Sequence, residues 1–202
     1  RADMADPGTQ DLRLDRREAV ARLLQDRGEL LVVSGLGSAT YDCAAAGDDP
    51  RNFYLWGAMG GTAALALGLA QAQPNRPVAA ITGDGDMLMG LGSLATIAAA
   101  APANLSVIVL DNEVYGETGA QPTATARGVS LVEVARGCGI DALEDIRDMN
   151  ALGTLAARMQ RCEGPLFANI KIAAGEHPRV LPARDGAYLR SRFREAVLGT
   201  GP

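Results

Sequence analysis

The chain has 202 residues, of which 48% are hydrophobic and 21% charged, and its formal net charge at pH 7 is −5. This composition is typical of one globular domain and excludes a disordered chain or a coiled coil. The acidic balance, without a run of Lys or Arg, also argues against a nucleic-acid-binding face, which needs clustered cations against phosphate.

The two ends of the chain differ in composition. Residues 1–12 are polar and show no signal sequence, so we expect a flexible N-terminal arm there. Residues 13–202 are expected to form a single domain. The three cysteines form no CxxC pair, which argues against a disulfide framework, a structural zinc or an iron–sulfur cluster and favours the cytoplasm.

Short, continuously apolar runs alternate along the chain with longer segments of helical character, which predicts alternating strands and helices. We expect strands over 30–33, 78–82, 105–110 and 166–172, and helices over 15–27, 57–72, 91–101, 131–136, 151–162 and 188–197. Continuously apolar strands that alternate with helices are typical of an α/β fold with a parallel sheet covered by helices on both faces. The uncharged stretches 53–75 and 87–110 are broken by Gly, Ser and Pro, so we interpret them as buried elements and predict no membrane span.

Several common catalytic motifs are absent from the sequence. There is no GxGxxG, no GxxxxGK[ST] and no GxSxG, so the usual dinucleotide, P-loop and serine-hydrolase signatures are missing. The single histidine, His177, lies in a polar stretch and is expected at the surface. The single lysine, Lys171, lies in a strand-like run and is expected at a strand edge or facing solvent, which makes Schiff-base chemistry improbable.

Polar residues follow two successive predicted strands. Gly83-Asp84-Gly85 ends one strand, and Asn112 ends the next, 28 residues after Asp84. A helical crossover of this length puts both side chains at the same edge of a parallel sheet. A carboxylate and an amide oxygen there suit Mg²⁺, and the glycines let a diphosphate approach the backbone. The alternative is a simple turn with Asn112 as a helix cap.

This arrangement resembles the thiamine-diphosphate signature of 2-oxo acid decarboxylases and their relatives. The run 111–123 is most similar to phosphonopyruvate and sulfopyruvate decarboxylases, and the likeness extends over residues 17–194. The resemblance implies the thiamine-diphosphate-binding fold, specifically its diphosphate-binding domain, with thiamine diphosphate and Mg²⁺ as cofactors. It further implies that Asp84, the side-chain oxygen of Asn112 and the backbone carbonyl of Val114 hold the metal.

The same resemblance implies a larger set of cofactor contacts. The Gly57 carbonyl is expected to accept from the exocyclic amine of the cofactor, and Met59 to wedge beneath it and enforce a bent shape. The implied cofactor-binding residues are Gly37, Ser38, Gly57, Met59, Gly83, Asp84, Gly85, Asp86, Met87, Asn112, Val114, Tyr115 and Gly116. The chain departs from the family pattern at three positions without losing a proposed ligand: Ala58, Asp111 and Ala120.

The resemblance also implies that the chain is a half-enzyme, the β subunit of a hetero-oligomeric decarboxylase. In this family a glutamate of a pyrimidine-binding domain activates the cofactor, so no catalytic residue is assigned here and a separate α subunit is expected. The substrate would be a small anionic 2-oxo acid, converted to an aldehyde and CO₂. Arg127 is a candidate to bind the anionic group of this substrate; the alternative is a surface residue. Glu117 either lines the substrate pocket or is a solvated loop carboxylate.

Two alternative functions fit parts of the pattern. The run Tyr115–Gly119 is similar to β subunits of 2-oxo acid:ferredoxin oxidoreductases, although those usually add a cysteine cluster. A non-catalytic module that binds thiamine diphosphate is the other alternative. The predicted helix starting at Gly57 could form the partner interface or be buried within the domain.

Overall fold

The computed structural model describes residues 13–199, so the expected arm at residues 1–12 lies outside the described part. The strands are β1 (Leu31–Ser34), β2 (Asn52–Tyr54), β3 (Val78–Gly83), β4 (Leu105–Asp111), β5 (Val114–Tyr115), β6 (Gln121–Pro122), β7 (Asp141–Ala142) and β8 (Leu166–Lys171). The helices are α1 (Arg16–Leu24), α2 (Ser38–Ala45), α3 (Thr62–Ala72), α4 (Asp84–Met89), α5 (Ser93–Ala100), α6 (Leu131–Gly137), α7 (Met149–Gln160) and α8 (Gly186–Leu198). Short 3₁₀ turns span Gly116–Thr118 and Thr125–Arg127.

Six strands form one parallel sheet in the order β2-β1-β3-β4-β8-β7. Helices α1, α2 and α7 cover one face and α3, α5 and α6 the other, and each face has its own apolar core. The central strands β4 and β8 are buried along their whole length, as expected for a parallel sheet covered on both faces. The predicted α/β fold class is therefore confirmed.

The helix predicted to start at Gly57 begins at Thr62 instead. The preceding residues form a loop in which Ala58 (φ +53°) and Gly60 (φ +85°) adopt left-handed conformations, which are incompatible with a helix. The Asp86 carboxylate holds this loop, since it accepts hydrogen bonds from the Gly60 N–H and, at 2.7 Å, from the Thr62 hydroxyl.

Sequence patterns also missed several short elements, namely β2, α2, α4, β7 and the small antiparallel β5–β6 pair. These segments are too short to show a hydrophobic period of their own. The two long uncharged stretches resolve into α3 and into α4, α5 and β4. Within residues 13–199, the structure has no helix with the length and apolar character needed to cross a membrane.

Candidate functional site

A cavity of about 200 Å³ opens at the carboxyl ends of the central strands, the edge where open α/β sheets bind ligands. The cavity brings together most of the cofactor contacts that the sequence predicts: Gly37, Ser38, Met59, Gly83, Asp84, Gly85, Asp86, Asn112, Val114, Tyr115 and Gly116. Two predicted contacts do not line it. Gly57 lies exposed in the loop before α3, and Met87 is buried in the core on the α3 side.

Asp84 starts α4 at the floor of the cavity, and its side chain is 2% exposed. Its Oδ2 accepts hydrogen bonds from the hydroxyls of Thr123 (2.6 Å) and Thr125 (3.2 Å). Burial raises the pKa of Asp84 to about 6, against the lowering effect of the Thr123 hydroxyl and with the help of the Asp111 charge. No Lys, Arg or His of the described chain forms an ion pair with Asp84. A carboxylate that is buried without a cationic partner is suited to a bound cation.

The turn from Asp111 to Val114 brings the second set of oxygen ligands to the cavity. The Asn112 Oδ1 accepts from the Val114 N–H at 3.1 Å, and the Asp111 Oδ1 accepts from the Glu113 N–H at 3.1 Å. Glu113 has φ +64°, and its carbonyl accepts from the Thr123 N–H at 2.9 Å. Asn112 and Val114 both line the cavity, as does Asp84.

Magnesium fits this donor set. Within residues 13–199 no group of three His, Cys, Asp or Glu side chains could hold a metal by itself. A hard divalent cation does not need such a group, since it accepts one carboxylate, amide and backbone oxygens, and the oxygens of a diphosphate. Asp84, Asn112 and Val114 offer these protein oxygens on one wall.

Glycine is required where the backbone of α4 approaches its neighbours. A Cβ on Gly85 would lie 2.5 Å from the Tyr115 ring and 3.6 Å from Met59 Cε. Both side chains line the cavity, and Met59 is 40% exposed. Asp86 also lines it, but its oxygens are occupied by the Gly60 N–H and by the Thr62 and Thr82 hydroxyls.

Glu117 lies against the N-terminus of α2. A Cβ on Gly37, which has φ +70°, would come within 2.8 Å of the Glu117 Oε1. The Glu117 side chain is 39% exposed and lies 3.9 Å from the Arg179 guanidinium. Glu117 thus lines the cavity, whereas Arg127 is exposed and does not line it.

Three basic side chains, which sequence reasoning did not assign to the site, also line the cavity: Arg16, His177 and Arg179. Arg16 is 7% exposed and pairs with Asp42 at 3.2 Å, while its Nε has no hydrogen-bond partner. The His177 Nε2 lies 2.8 Å from Asp15 Oδ2. We name Arg16, His177 and Arg179 the cationic wall. The sequence could have predicted that residues 175–179 lie near the site, because they follow a parallel strand and such strands all end at the same edge of the sheet.

The prediction that Lys171 lies at a strand edge or faces solvent is wrong. Its strand, β8, lies between β4 and β7, and Lys171 is 7% exposed. The register places Lys171 beside Asp111, and its Nζ lies 2.6 Å from Asp111 Oδ2 and 3.0 Å from Glu113 Oε1. The two carboxylates compensate a charge that could not otherwise be buried.

Residues 36–170 match the family described as "Thiamine pyrophosphate enzyme, C-terminal TPP binding domain". The chain therefore belongs to this family, as its resemblance predicted. Among solved structures it is similar to the X-ray structure of an enzyme from Mycobacterium smegmatis described as thiamin diphosphate-dependent. The TM-score is 0.69 at 19% identity, and the match covers 80% of this chain and 32% of that one. This likeness supports the fold alone.

Curated relatives are closer in sequence. The chain is 35% identical over 186 residues to "Sulfopyruvate decarboxylase subunit beta" of Methanothermobacter thermautotrophicus, covering 92% of this chain and 97% of that subunit. It is 33% identical to the subunit of the same name from Methanocaldococcus jannaschii, covering 90% and 96%. It is 37% identical to "Phosphonopyruvate decarboxylase" of Streptomyces viridochromogenes, covering 97% of this chain but 50% of that protein. The chain thus spans half of the phosphonopyruvate decarboxylase and nearly all of the sulfopyruvate decarboxylase subunits.

Proposed function

We propose that this chain is the diphosphate-binding β subunit of a thiamine-diphosphate-dependent decarboxylase, which converts a short anionic 2-oxo acid to an aldehyde and CO₂. The observation that carries the proposal is the buried, cation-free Asp84 beside the Asn112–Val114 turn, in a cavity at the carboxyl edge of the sheet. The sulfopyruvate and phosphonopyruvate decarboxylases named above support the reaction class. The substrate itself is proposed to be of their type.

In this proposal Asp84, the Asn112 amide oxygen and the Val114 carbonyl hold Mg²⁺, which in turn binds the diphosphate. Gly83 and Gly85 leave the backbone open to the diphosphate, since neither carries a side chain over the cavity floor. Gly37 and Ser38, at the N-terminus of α2, line the same cavity, and the N-terminus of a helix favours an anion. When bound, thiamine diphosphate supplies the electron sink for decarboxylation.

The remaining walls orient the ligands. Met59, close to Gly85 and partly exposed, provides an apolar contact that can keep the cofactor bent, as near-attack geometry requires. The cationic wall would attract the anionic groups of the cofactor and of the substrate, since its side chains line the same cavity. We assign it the recognition of anions in place of Arg127, because Arg127 does not line the cavity.

A partner subunit completes the site in this proposal. The chain exposes three apolar side chains, Met59 (40%), Leu65 (38%) and Met89 (67%), on the loop before α3, on α3 and on α4, and Met59 also lines the cavity. We propose that an α subunit docks there and provides the activating glutamate. Cys43, Cys138 and Cys162 are free thiols, which agrees with our proposal of a cytoplasmic enzyme.

The experiment is to purify the chain, supply thiamine diphosphate, Mg²⁺ and candidate oxo acids, and measure CO₂ release with and without its partner. We expect release only with the partner. Substantial decarboxylation by the chain alone would overturn the half-enzyme proposal. A brown iron–sulfur chromophore with ferredoxin reduction would favour the oxidoreductase alternative, and tight cofactor binding without turnover in the complex would favour a non-catalytic module.

A further inference from the structure

The turn that carries two of the proposed metal ligands has alternate residues facing the cavity and facing Lys171. Asn112 and Val114 line the cavity, whereas Asp111 and Glu113 contact Lys171 behind it. The conformation of this turn decides where the Asn112 amide oxygen and the Val114 carbonyl lie. Whatever holds Asp111 and Glu113 therefore also positions the ligands between and beside them.

Lys171 holds both residues. Its Nζ donates to Asp111 Oδ2 at 2.6 Å and to Glu113 Oε1 at 3.0 Å, and Glu113 is held in a left-handed conformation. Burial opposes the charge of Lys171, but these carboxylates outweigh it and raise the pKa of Lys171 above its usual value. Lys171 is the single lysine of the sequence, and it is buried without touching the cavity.

Asp111 also connects the lysine to the other metal ligand. Its Oδ1 accepts from the Thr125 hydroxyl at 2.9 Å, and the same hydroxyl lies 3.2 Å from Asp84 Oδ2. Its Oδ2 accepts from the Asn169 amide at 3.0 Å as well as from Lys171. In the described chain Lys171 is the one cation paired with Asp111. Two carboxylates so close repel each other unless one of them is compensated.

We infer that Lys171 is a positioning residue for the metal ligands: by pairing with Asp111 and Glu113 it fixes the turn that presents Asn112 and Val114 and compensates the charge next to Asp84. The inference rests on the proposed function, since it concerns the ligands of the proposed Mg²⁺. Lys171 touches neither metal nor cofactor in this role. Groups of this kind around metal ligands typically change metal affinity by about 10–100-fold when they are removed.

The test is to titrate Mg²⁺ into the complex of the full chain and its partner in the presence of excess thiamine diphosphate. Calorimetry then measures the apparent Mg²⁺ affinity from the heat of Mg²⁺-dependent cofactor binding. We expect Lys171→Met to weaken the apparent Mg²⁺ affinity at least tenfold. The double variant Lys171→Met/Asp111→Asn removes the uncompensated charge next to Asp84 but does not restore the pairing that fixes the turn, so it should recover only part of the lost affinity. Lys171→Arg should be intermediate.

A matched control is Arg158→Met, because Arg158 also bridges two carboxylates, those of Asp141 and Glu163, and does not line the cavity. It can lower thermal stability but should leave the Mg²⁺ affinity unchanged. Should Lys171→Met fail to fold, the double variant carries the test, and wild-type Mg²⁺ affinity in it would overturn the inference.

The outcomes distinguish a failure of the role of Lys171 from a failure of the proposed function. If wild type binds thiamine diphosphate with Mg²⁺ and folded Lys171→Met binds Mg²⁺ equally well, Lys171 has a merely structural role and the inference is overturned alone. If wild type binds no thiamine diphosphate at any Mg²⁺ concentration, the proposed function fails and the inference fails with it.

Discussion

The two walls of the cavity carry opposite charges and are built in different ways. The acidic wall consists of the buried Asp84 and of the turn after Asp111, whose Asn112 and Val114 line the cavity half-buried; both follow central strands. The cationic wall comes from the start of α1 and from the segment after β8, and Arg179 in it is exposed. Buried side chains held by many hydrogen bonds keep a fixed position, whereas an exposed side chain such as Arg179 is free to adjust to a ligand.

The compensation of charge differs accordingly. Arg16 and His177 of the cationic wall each have a carboxylate partner, in Asp42 and Asp15. On the acidic wall, Lys171 pairs with Asp111 and leaves Asp84 without a cation. We propose that the acidic wall binds a metal. In the cationic wall the exposed Arg179 is free to turn towards a ligand's anionic groups, whereas Arg16 is buried with its partner Asp42.

The largest expected effect is on the acidic wall. Asp84→Ala or Asn112→Ala should weaken Mg²⁺-dependent binding of thiamine diphosphate at least a hundredfold, because the diphosphate charge loses its bridge to the protein, a loss on the order of 3–5 kcal/mol. Calorimetric titration measures this. Asn150→Ala, at an exposed position outside the cavity, should bind like wild type, and wild-type affinity in either site variant would contradict the assignment.

The second effect concerns stability of the metal-free chain. The pKa of Asp84 is about 6 in the folded state against an ordinary 3.8, so from about pH 4 upward the unfolded state releases this proton before the folded state does. The free energy of unfolding should therefore fall, by about 2 kcal/mol between pH 4 and 7 relative to Asp84→Asn. Urea unfolding of both chains at several pH values measures the difference. Parallel pH profiles would mean that Asp84 has an ordinary pKa.

A smaller effect is expected on the cationic wall. Arg179→Met should weaken binding of the anionic substrate by about fivefold, since a partly exposed ion pair contributes about 1 kcal/mol. The effect should shrink as salt concentration rises. Arg127→Met serves as the matched control because Arg127 is exposed and outside the cavity. Equal losses in both variants would point to net charge rather than to this wall.

The smallest effect on affinity is expected between the walls, at Met59. Met59→Ala should change the dissociation constant of thiamine diphosphate by less than about twofold and lower turnover of the complex more strongly, because the side chain acts through shape. Met59→Leu keeps most of the volume and should keep most of the turnover. Steady-state rates at saturating cofactor decide the matter: unchanged turnover in the alanine variant would make Met59 a surface residue without a role in the reaction.

The acidic wall could be predicted from the sequence because it depends on local order. Strands of a parallel sheet end at one edge, so Asp84 and Asn112 had to meet once the strands were identified. The start of α3 could not be predicted in this way. Apolar residues continue through 57–61. The helix begins later because the Gly60 N–H and the Thr62 hydroxyl donate hydrogen bonds to the Asp86 carboxylate, which lies 26 residues away from Gly60.

By itself the sequence determined the alternation of strands and helices, the parallel sheet and the meeting of Asp84 and Asn112 at its edge, because periodicity and strand direction are properties of neighbouring residues. Only the tertiary structure decided that Lys171 is buried between two carboxylates and that Arg16, His177 and Arg179 share the cavity with Asp84. Arg16 and His177 are separated by 161 positions of chain. Their meeting depends on the order of strands in the sheet and on the path of the chain after β8, which no local pattern encodes.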